Sequence, residues 1–465
     1  MLFNESSLHL KRNLELLAPR LNDDLYLIVI VSPEQMGIAD SFRERFGGIV
    51  GISVFSPSNH ESIESRVLYL RSRFKADHGL ILINKILDSP ELKEGLDGPE
   101  ALNRWIKLSS ELQVRAPYVP GMVSVVVYNY NYGEYIEACL ESIFRQTYRN
   151  FEVCISDNAS SDSSWKSITK YIIKFGSKIK AIRNPVNLGP GFNRISAEYM
   201  ASGEYLLVLA SDDFLDQNFL ERVVKGLDSN KDCAFAIVHR DIVDSNGEVH
   251  SEAPFYNKTC RIEGPEQAAV YMMAAVNPSI SQIVYRRSLI GYGHLTSGNT
   301  LGARWFAQRL IDFEICCQHP IIYIKEPLLK NRVHERSDGN AIDRSLIQPF
   351  GQYILIHQFL SIAEVHNVTA AIDRLPKAVE KVGALCLRYS AQFLMSGEVE
   401  LSRKYFYLSL VLHEHSPENN LFGLLHDYHV MEDEEVLEKI GLLHYNDLSR
   451  RASYAPPEGH IEIEI

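Results

Sequence analysis

Short apolar runs that close on polar or acidic residues recur along this chain, and they predict a sheet whose strands end in chemistry. Val123 to Val127, Phe151 to Ile155 and Tyr205 to Ala210 have strand length. They run into Tyr128-Asn129-Tyr130-Asn131, Ser156-Asp157-Asn158 and Ser211-Asp212-Asp213 respectively. Tyr135 to Gln146 sets Ile136, Leu140 and Ile143 at helical spacing, a stripe suited to packing on a sheet, and Phe192 to Met200 reads as its partner helix. Strand alternating with helix from 121 to 344 predicts a largely parallel sheet with helices on both faces.

The flanks read differently. Residues 1–118 suggest a small α/β domain, with helices near Leu8 to Leu17 and Glu61 to Phe74 and strands at Leu25 to Val31, Ile49 to Phe55 and Leu80 to Asn84. No glycine-rich phosphate loop follows any of these strands, which favours a packing or partner-binding role. Ala116-Pro117-Tyr118-Val119-Pro120-Gly121 reads as a linker. Beyond 345 the strands stop, and residues 345–465 read as a helical accessory domain in which Ala391 to Glu414 resembles one helical hairpin of a repeat. The alternating tail Ile461 to Ile465 is expected to be frayed or an added edge strand.

Composition narrows the classes. In 465 residues, 46% are hydrophobic, enough for a core in each domain, and the formal charge of −12 argues against broad attachment to nucleic acid. The seven cysteines form no CxxC pair and no zinc-type cluster, which points to a reducing, cytoplasmic compartment, with the inner face of the membrane compatible. The first residues carry Glu5, Lys11, Arg12 and Glu15 and no apolar core of a signal peptide. No run reaches the ~20 apolar residues of a spanning helix.

Adjacent carboxylates at the end of a buried strand repel one another and resist desolvation, so Asp212-Asp213 requires a cation, and a divalent metal is the usual answer. Open α/β sheets bind ligands where the carboxyl ends of strands converge. The segments Val123 to Asn131, Glu134-Tyr135-Ile136, Leu140 to Ile143, Gln146-Thr147-Tyr148, Phe151-Glu152-Val153, Ser156 to Asp162, Asn187-Leu188-Gly189, Gly203-Glu204-Tyr205, Ser211-Asp212-Asp213 and Arg332-Val333-His334, in this order and spacing, resemble family 2 glycosyltransferases of the GT-A fold.

That resemblance implies an α/β, Rossmann-like mixed sheet in a central domain at 121–344. It also implies inverting transfer of a sugar from a nucleotide diphosphate donor, a UDP-sugar, to a glycan, lipid-linked or protein acceptor in surface polysaccharide biosynthesis. Mn2+ or Mg2+ would sit on Asp212, Asp213 and His334, because a hard cation best stabilises the charge that builds on a leaving diphosphate. Asp157 would accept an N–H from the nucleobase, Tyr128 and Tyr130 would flank its ring, and Arg183, Arg194, Asp212, Arg332 and His334 would reach the rest of the nucleotide. The plainer alternatives are an Asx turn for Asp157, half-buried strand aromatics and solvated arginines. Peripheral membrane association and self-association through the C-terminal helices stay open.

Two positions depart from the family pattern. Ala210-Ser211-Asp212-Asp213 lacks the leading carboxylate of Asp-x-Asp-Asp, and Leu301 to Leu310 carries Arg304 where inverting members place the general base. Arginine, with a pKa above about 12, takes no proton from a hydroxyl. Asp312 and Glu314 lie downstream, Asp312 about 12 Å along a continuous helix at ~1.5 Å per residue. His294 is a third candidate, with an ordinary pKa near ~6.5. Three explanations remain: a base elsewhere in the chain, an acidic acceptor positioned by Arg304, or a non-catalytic nucleotide-sugar-binding or scaffold subunit. A pyrophosphorylase-like nucleotidyltransferase would show a glycine-rich, basic loop after the first strand, and Tyr128-Asn129-Tyr130-Asn131 is not one.

Overall fold

The computed structural model describes residues 2–3, 27–31, 37, 40–41, 43–44, 50–54, 118–184, 186–198, 200–273, 278–290, 307–334, 346–413, 419–448 and 453–465. The expected helices near 8–17 and 61–74 and the strand at 80–84 lie outside the described residues. Two compact units divide the chain, Met1–Glu221 and Arg222–Ile465.

In the first unit the strands are β1 (Leu2–Phe3), β2 (Leu27–Val31), β3 (Val50–Val54), β4 (Val119–Asn129), β5 (Phe151–Asp157), β6 (Ile179–Arg183), β7 (Gly203–Ala210) and the short β8 (Phe214–Leu215). Their helices are α1 (Ile136–Phe144), α2 (Ser164–Phe175) and α3 (Pro190–Glu198). The sheet order is β1-β2-β3-β6-β5-β4-β7, parallel throughout except where β3 meets β6. Every residue of β5 is buried, as the unbroken apolar runs of a parallel sheet covered on both faces require. Ile136, Leu140 and Ile143, the stripe expected of α1, are all fully buried.

The linker expected at 116–121 is in part strand, because β4 begins at Val119. A register shift between Val119 and Val123 absorbs the irregularity, and Gly121, at φ +68°, adopts the left-handed backbone that such a bulge favours. Gly121 N–H donates to Glu204 at 2.9 Å, and Tyr148 Oη donates to the Gly121 carbonyl at 2.5 Å, so this segment is tied at both its donor and its acceptor.

Each end of β5 carries a buried acid answered by a base on β6. Glu152 pairs with Lys180 at 2.9 Å, and its carboxylate also accepts from Ser124 Oγ at 2.6 Å and Ser202 N–H at 2.6 Å. Burial alone would raise the Glu152 pKa, but Lys180 and these donors outweigh it and hold the group below its ordinary value. A satisfied ion pair of this kind adds little net stability, yet stripping one partner costs about 3–5 kcal/mol, so it penalises any other register.

Helix α4 (Phe219–Ser229) begins at the end of the first unit, and the second contains the rest of it with β9 (Phe235–Val243), β10 (Val249–His250), β11 (Cys260–Ile262), α5 (Gly264–Met272), β12 (Ile283–Arg286), α6 (Arg287–Ile290), α7 (Ala307–Cys316) and β13 (Ile321–Arg332). Here the expectation of a largely parallel sheet does not hold. β9 pairs in parallel with β13 but antiparallel with β12 and β10, and β11 is antiparallel to β13. A tight turn at Asp244–Glu248 returns the chain at once from β9 to β10, a connection only antiparallel neighbours allow. The tail forms β14 (Ile461–Glu462), an added edge strand on β11.

From Ile347 to Leu448 the described elements are helical, as expected: α8 (Ile347–His366), α9 (Thr369–Ile372), α10 (Leu375–Met395), α11 (Val399–Leu412), α12 (Asn420–Val430) and α13 (Leu437–Leu448). Leu387, Leu394, Phe406, Leu425 and Ile440 form a core shared by α10, α11, α12 and α13. Within it Ser390 Oγ meets Ser402 Oγ at 3.0 Å, and Ser402 Oγ shares a 2.8 Å hydrogen bond with His429 Nε2.

Burial, with the Arg403 charge adding to it and Glu400 opposing, pulls the His429 pKa from 6.5 down to about 4. The folded state therefore favours neutral imidazole, and the stability this confers, complete above pH 6.5, is lost as pH falls toward about 4. Denaturant midpoints recorded across that window will fall with pH, and His429→Gln will flatten the slope.

Candidate active site

The carboxyl ends of β4, β5 and β7 lie side by side in the first unit. In register, Asn129 stands opposite Asp157, and Tyr128 opposite Ser156 on one side and Ala210 on the other. Side chains alternate along a strand, so Tyr128 leaves the sheet on the face opposite Asp157. Tyr130, past the strand's last residue, is 44% exposed.

Asp157 is fully buried and its two oxygens are both engaged. Asn129 Nδ2 donates to Oδ2 at 2.9 Å, Ser160 N–H donates to Oδ1 at 3.0 Å, and Arg183 Nε lies 3.7 Å from Oδ1. The Ser160 bond closes a tight turn in which Ala159 takes a positive φ of 61°. Burial pushes the Asp157 carboxyl above its ordinary pKa against the pull of Ser160, Asn129 and Arg183. Arg183 also donates to the Ser160 carbonyl at 3.1 Å, and burial lowers its own pKa.

Asparagines knit the loops beside this edge, a feature that sequence reasoning missed. Asn158 Nδ2 donates to Asn187 Oδ1 at 2.6 Å and Leu188 N–H donates to Asn158 Oδ1 at 2.9 Å, which fixes the Asn187-Leu188-Gly189 turn. Asn193 Nδ2 donates to the Asn129 carbonyl at 3.0 Å, and Ser156 Oγ donates to Asn193 Oδ1 at 2.6 Å. The available signal was the recurrence of asparagine at 184, 187 and 193 after β6, where amides that both donate and accept can tie several strands at once. Arg194, on α3, pairs with Glu198 at 3.0 Å.

After β7 the chain turns at Ser211-Asp212, closed by Asp213 N–H to the Ala210 carbonyl at 3.1 Å. Asp213 is 1% exposed and Asp212 half-buried. Cys139 of α1 senses both: burial first, then the charges of Asp213 and Asp212, push its thiol far above the usual range. The Ser211 hydroxyl is buried with no hydrogen-bond partner. Two carboxylates beside an unsatisfied hydroxyl make an oxygen-only donor set, which fits a hard divalent cation. Among the described residues, Asp244, Glu248 and His250 also stand within 4.8 Å of one another, but there Asp244 Oδ1 accepts from Asn246 and Glu248 N–H and closes the β9–β10 turn.

The remaining expected residues lie in the second unit. Asp312 is 1% exposed on α7, where its Oδ1 accepts from Tyr285 Oη at 2.5 Å and Gln308 Nε2 at 3.1 Å. Glu314 is half-buried two residues further on, toward another face of that helix. Arg332 is half-buried at the end of β13, and His334 just beyond it is 6% exposed. His294 and Arg304 lie outside the described residues.

A parallel sheet that closes on acids, arginines and an oxygen-rich turn defines an α/β ligand-binding domain. Residues 124–290 match the family model for Glycosyl transferase family 2, and this segment is a family 2 glycosyltransferase domain. The chain is 37% identical over 113 residues to abequosyltransferase RfbV of Salmonella typhimurium, covering 24% of this chain and 34% of that one. It is 39% identical over 93 residues to the UDP-Glc:alpha-D-GlcNAc-diphosphoundecaprenol beta-1,3-glucosyltransferase WfaP of Escherichia coli, covering 20% and 36%. The chain thus spans about a third of the length of these two relatives. The crystal structure of S. aureus TarS 1–349 in complex with UDP aligns with a TM-score of 0.38 at 17% identity, covering 74% of this chain and 99% of that one.

Asn129→Ala removes a buried donor shared by Asp157 and by Ser160 Oγ at 3.1 Å. Chemical denaturation will show a loss of about 1–3 kcal/mol, the cost of leaving buried acceptors unmet.

Proposed function

We propose that this chain is a metal-dependent, inverting glycosyltransferase that moves a sugar from a uridine diphosphate donor to a hydroxyl of a lipid-linked or growing surface glycan. One observation carries the reading: within a single unit, neighbouring parallel strands bring Asp157 and the Asp212-Asp213 turn to the same sheet edge. The family match over 124–290 supports transfer of a glycosyl group, and the relatives named for abequose and UDP-glucose transfer support a glycan acceptor. Seven free, buried thiols support a reducing, cytoplasmic setting. Among the described residues no helix is long and apolar enough to cross a membrane.

In this reading the buried Asp157 orients Arg183 at the base end of the site, and Tyr130 offers an exposed ring face for stacking. Arg183 and Arg194 contribute guanidinium donors to carbonyl or phosphate oxygens. Asp212 and Asp213, with Ser211 beside them, hold Mn2+ or Mg2+, which when bound offsets the charge that gathers on the departing diphosphate. Asp213 is buried, and its charge acts on the Cys139 thiol. The acceptor proton requires a base. Asp312 already accepts two hydrogen bonds in the core of the second unit, which counts against it in that role.

A second reading, a nucleotide-sugar-binding subunit without turnover, is favoured by Arg304 at the position where inverting relatives carry the base. Release of nucleoside diphosphate across a panel of donors and acceptors separates the two. Absence of turnover alongside nucleotide binding selects the second.

Calorimetry of the full chain with UDP and MnCl2 will show metal-dependent binding. Asp212→Asn or Asp213→Asn will abolish the metal dependence, and turnover will fall by about a hundredfold or more. Wild-type protein that binds no nucleoside diphosphate in the presence of manganese or magnesium rules the reading out.

A further inference from the structure

Asp157 and Arg183 do not stand alone at the end of β5. Asp40 and Arg43, in helical backbone far upstream of the family-matched segment, reach the same place. Trp165 Nε1, on α2, donates to Asp40 Oδ1 at 2.8 Å, and the same oxygen lies 3.7 Å from Arg183 Nη1. The Arg183 guanidinium lies 5.3 Å from the centre of the Trp165 ring. One guanidinium thus spans two carboxylates, Asp157 and Asp40, and leans on an indole that itself grips Asp40.

Arg43 completes the balance. Burial, with Arg183 adding to it, lowers the Arg43 pKa to about 10, while the charges of Asp157 and Asp40 act in the opposite direction. Arg43 thus lies within electrostatic reach of Arg183 and of both carboxylates in a partly desolvated space. The Nε groups of Arg43 and Arg183 are each buried without a hydrogen-bond partner, that of Arg183 facing Asp157 Oδ1 at 3.7 Å, beyond hydrogen-bond reach. The Arg183 side chain keeps 15% of its surface exposed, and a heterocycle with ring carbonyl oxygens supplies acceptors suited to its guanidinium.

We propose that Asp40 is a positioning residue for the nucleobase end of the donor site, holding Arg183 beside Asp157 so that the guanidinium presents a donor to a carbonyl oxygen of a uracil-type ring. This rests on the donor reading above. The physical reason is rotameric: a long arginine held on one side only loses several torsions on binding, whereas one already clamped by Asp40, Trp165 and the Ser160 carbonyl does not. The upstream segment then contributes to donor affinity rather than only to packing.

The test uses the full chain, UDP with MnCl2 as calorimetric probe, and steady-state kinetics. Asp40→Asn keeps the acceptor for Trp165 but removes the charge, and it is expected to raise the Kd for UDP and the donor KM about tenfold with kcat at saturating donor retained. Asp40→Glu is expected to recover part of that loss. An Asp40→Asn chain that binds UDP as tightly as wild type overturns the inference, as does one whose kcat falls along with its melting temperature. If Asp40→Asn does not fold, Trp165→Phe decides. It keeps an aromatic ring and frees Asp40, so a weaker Kd supports the inference and an unchanged Kd overturns it. Failure of the wild-type chain to bind UDP removes the donor reading itself, whereas binding that ignores Asp40 removes this inference alone.

Discussion

Charge balance across the β5–β6 seam is the constraint on which the first unit depends. β5 is buried along its whole length and yet carries an acid near each end, and burying a carboxylate costs several kcal/mol unless a cation and hydrogen-bond donors meet it. Lys180 meets Glu152 at one end and Arg183 meets Asp157 at the other, both from the adjacent strand. In register Cys154 faces Lys180 and Asp157 faces Arg183, so a slip of one residue would part both pairs and turn each side chain to the wrong face. The same constraint that selects the register thus fixes the acid at the sheet edge where a ligand would be read.

The two ends do different work with similar chemistry. Glu152 and Lys180 are closed off by Ser124, Ser202 and the Met200 carbonyl, which leaves a satisfied structural knot. Around Asp157 the satisfaction is incomplete: the Asn129 Oδ1, Arg43 Nε and Arg183 Nε atoms are buried without hydrogen-bond partners. Buried polar atoms are rarely left in that state, and their concentration at a strand terminus supports the proposed donor site.

Much of this was legible in order and spacing. The apolar runs ending at Asn129, Asp157 and Ala210 became adjacent strands, the stripe Ile136, Leu140 and Ile143 became the buried face of α1, and the helical C-terminal region followed the loss of strand patterning. Less legible were features that join residues distant in the chain. Nothing local in Asp40 or Trp165 announces that one would accept a hydrogen bond from the other across 125 positions. The antiparallel pairing around β9 escaped notice because short apolar runs of the same length serve parallel and antiparallel neighbours alike.

By itself the sequence determined which segments are strands or helices and which strand ends carry acids, because side-chain periodicity and the cost of burying charge act over a few residues. Tertiary structure alone decided how those acids are answered. Asp157 became a fully buried acceptor for Asn129, Ser160 and Arg183 rather than an open carboxylate, Asp312 turned inward to Tyr285, and Asp40 joined the seam from far upstream. Each outcome depends on which strands lie next to one another, and neighbours in a sheet are chosen by global packing and loop closure rather than by the sequence around any one residue.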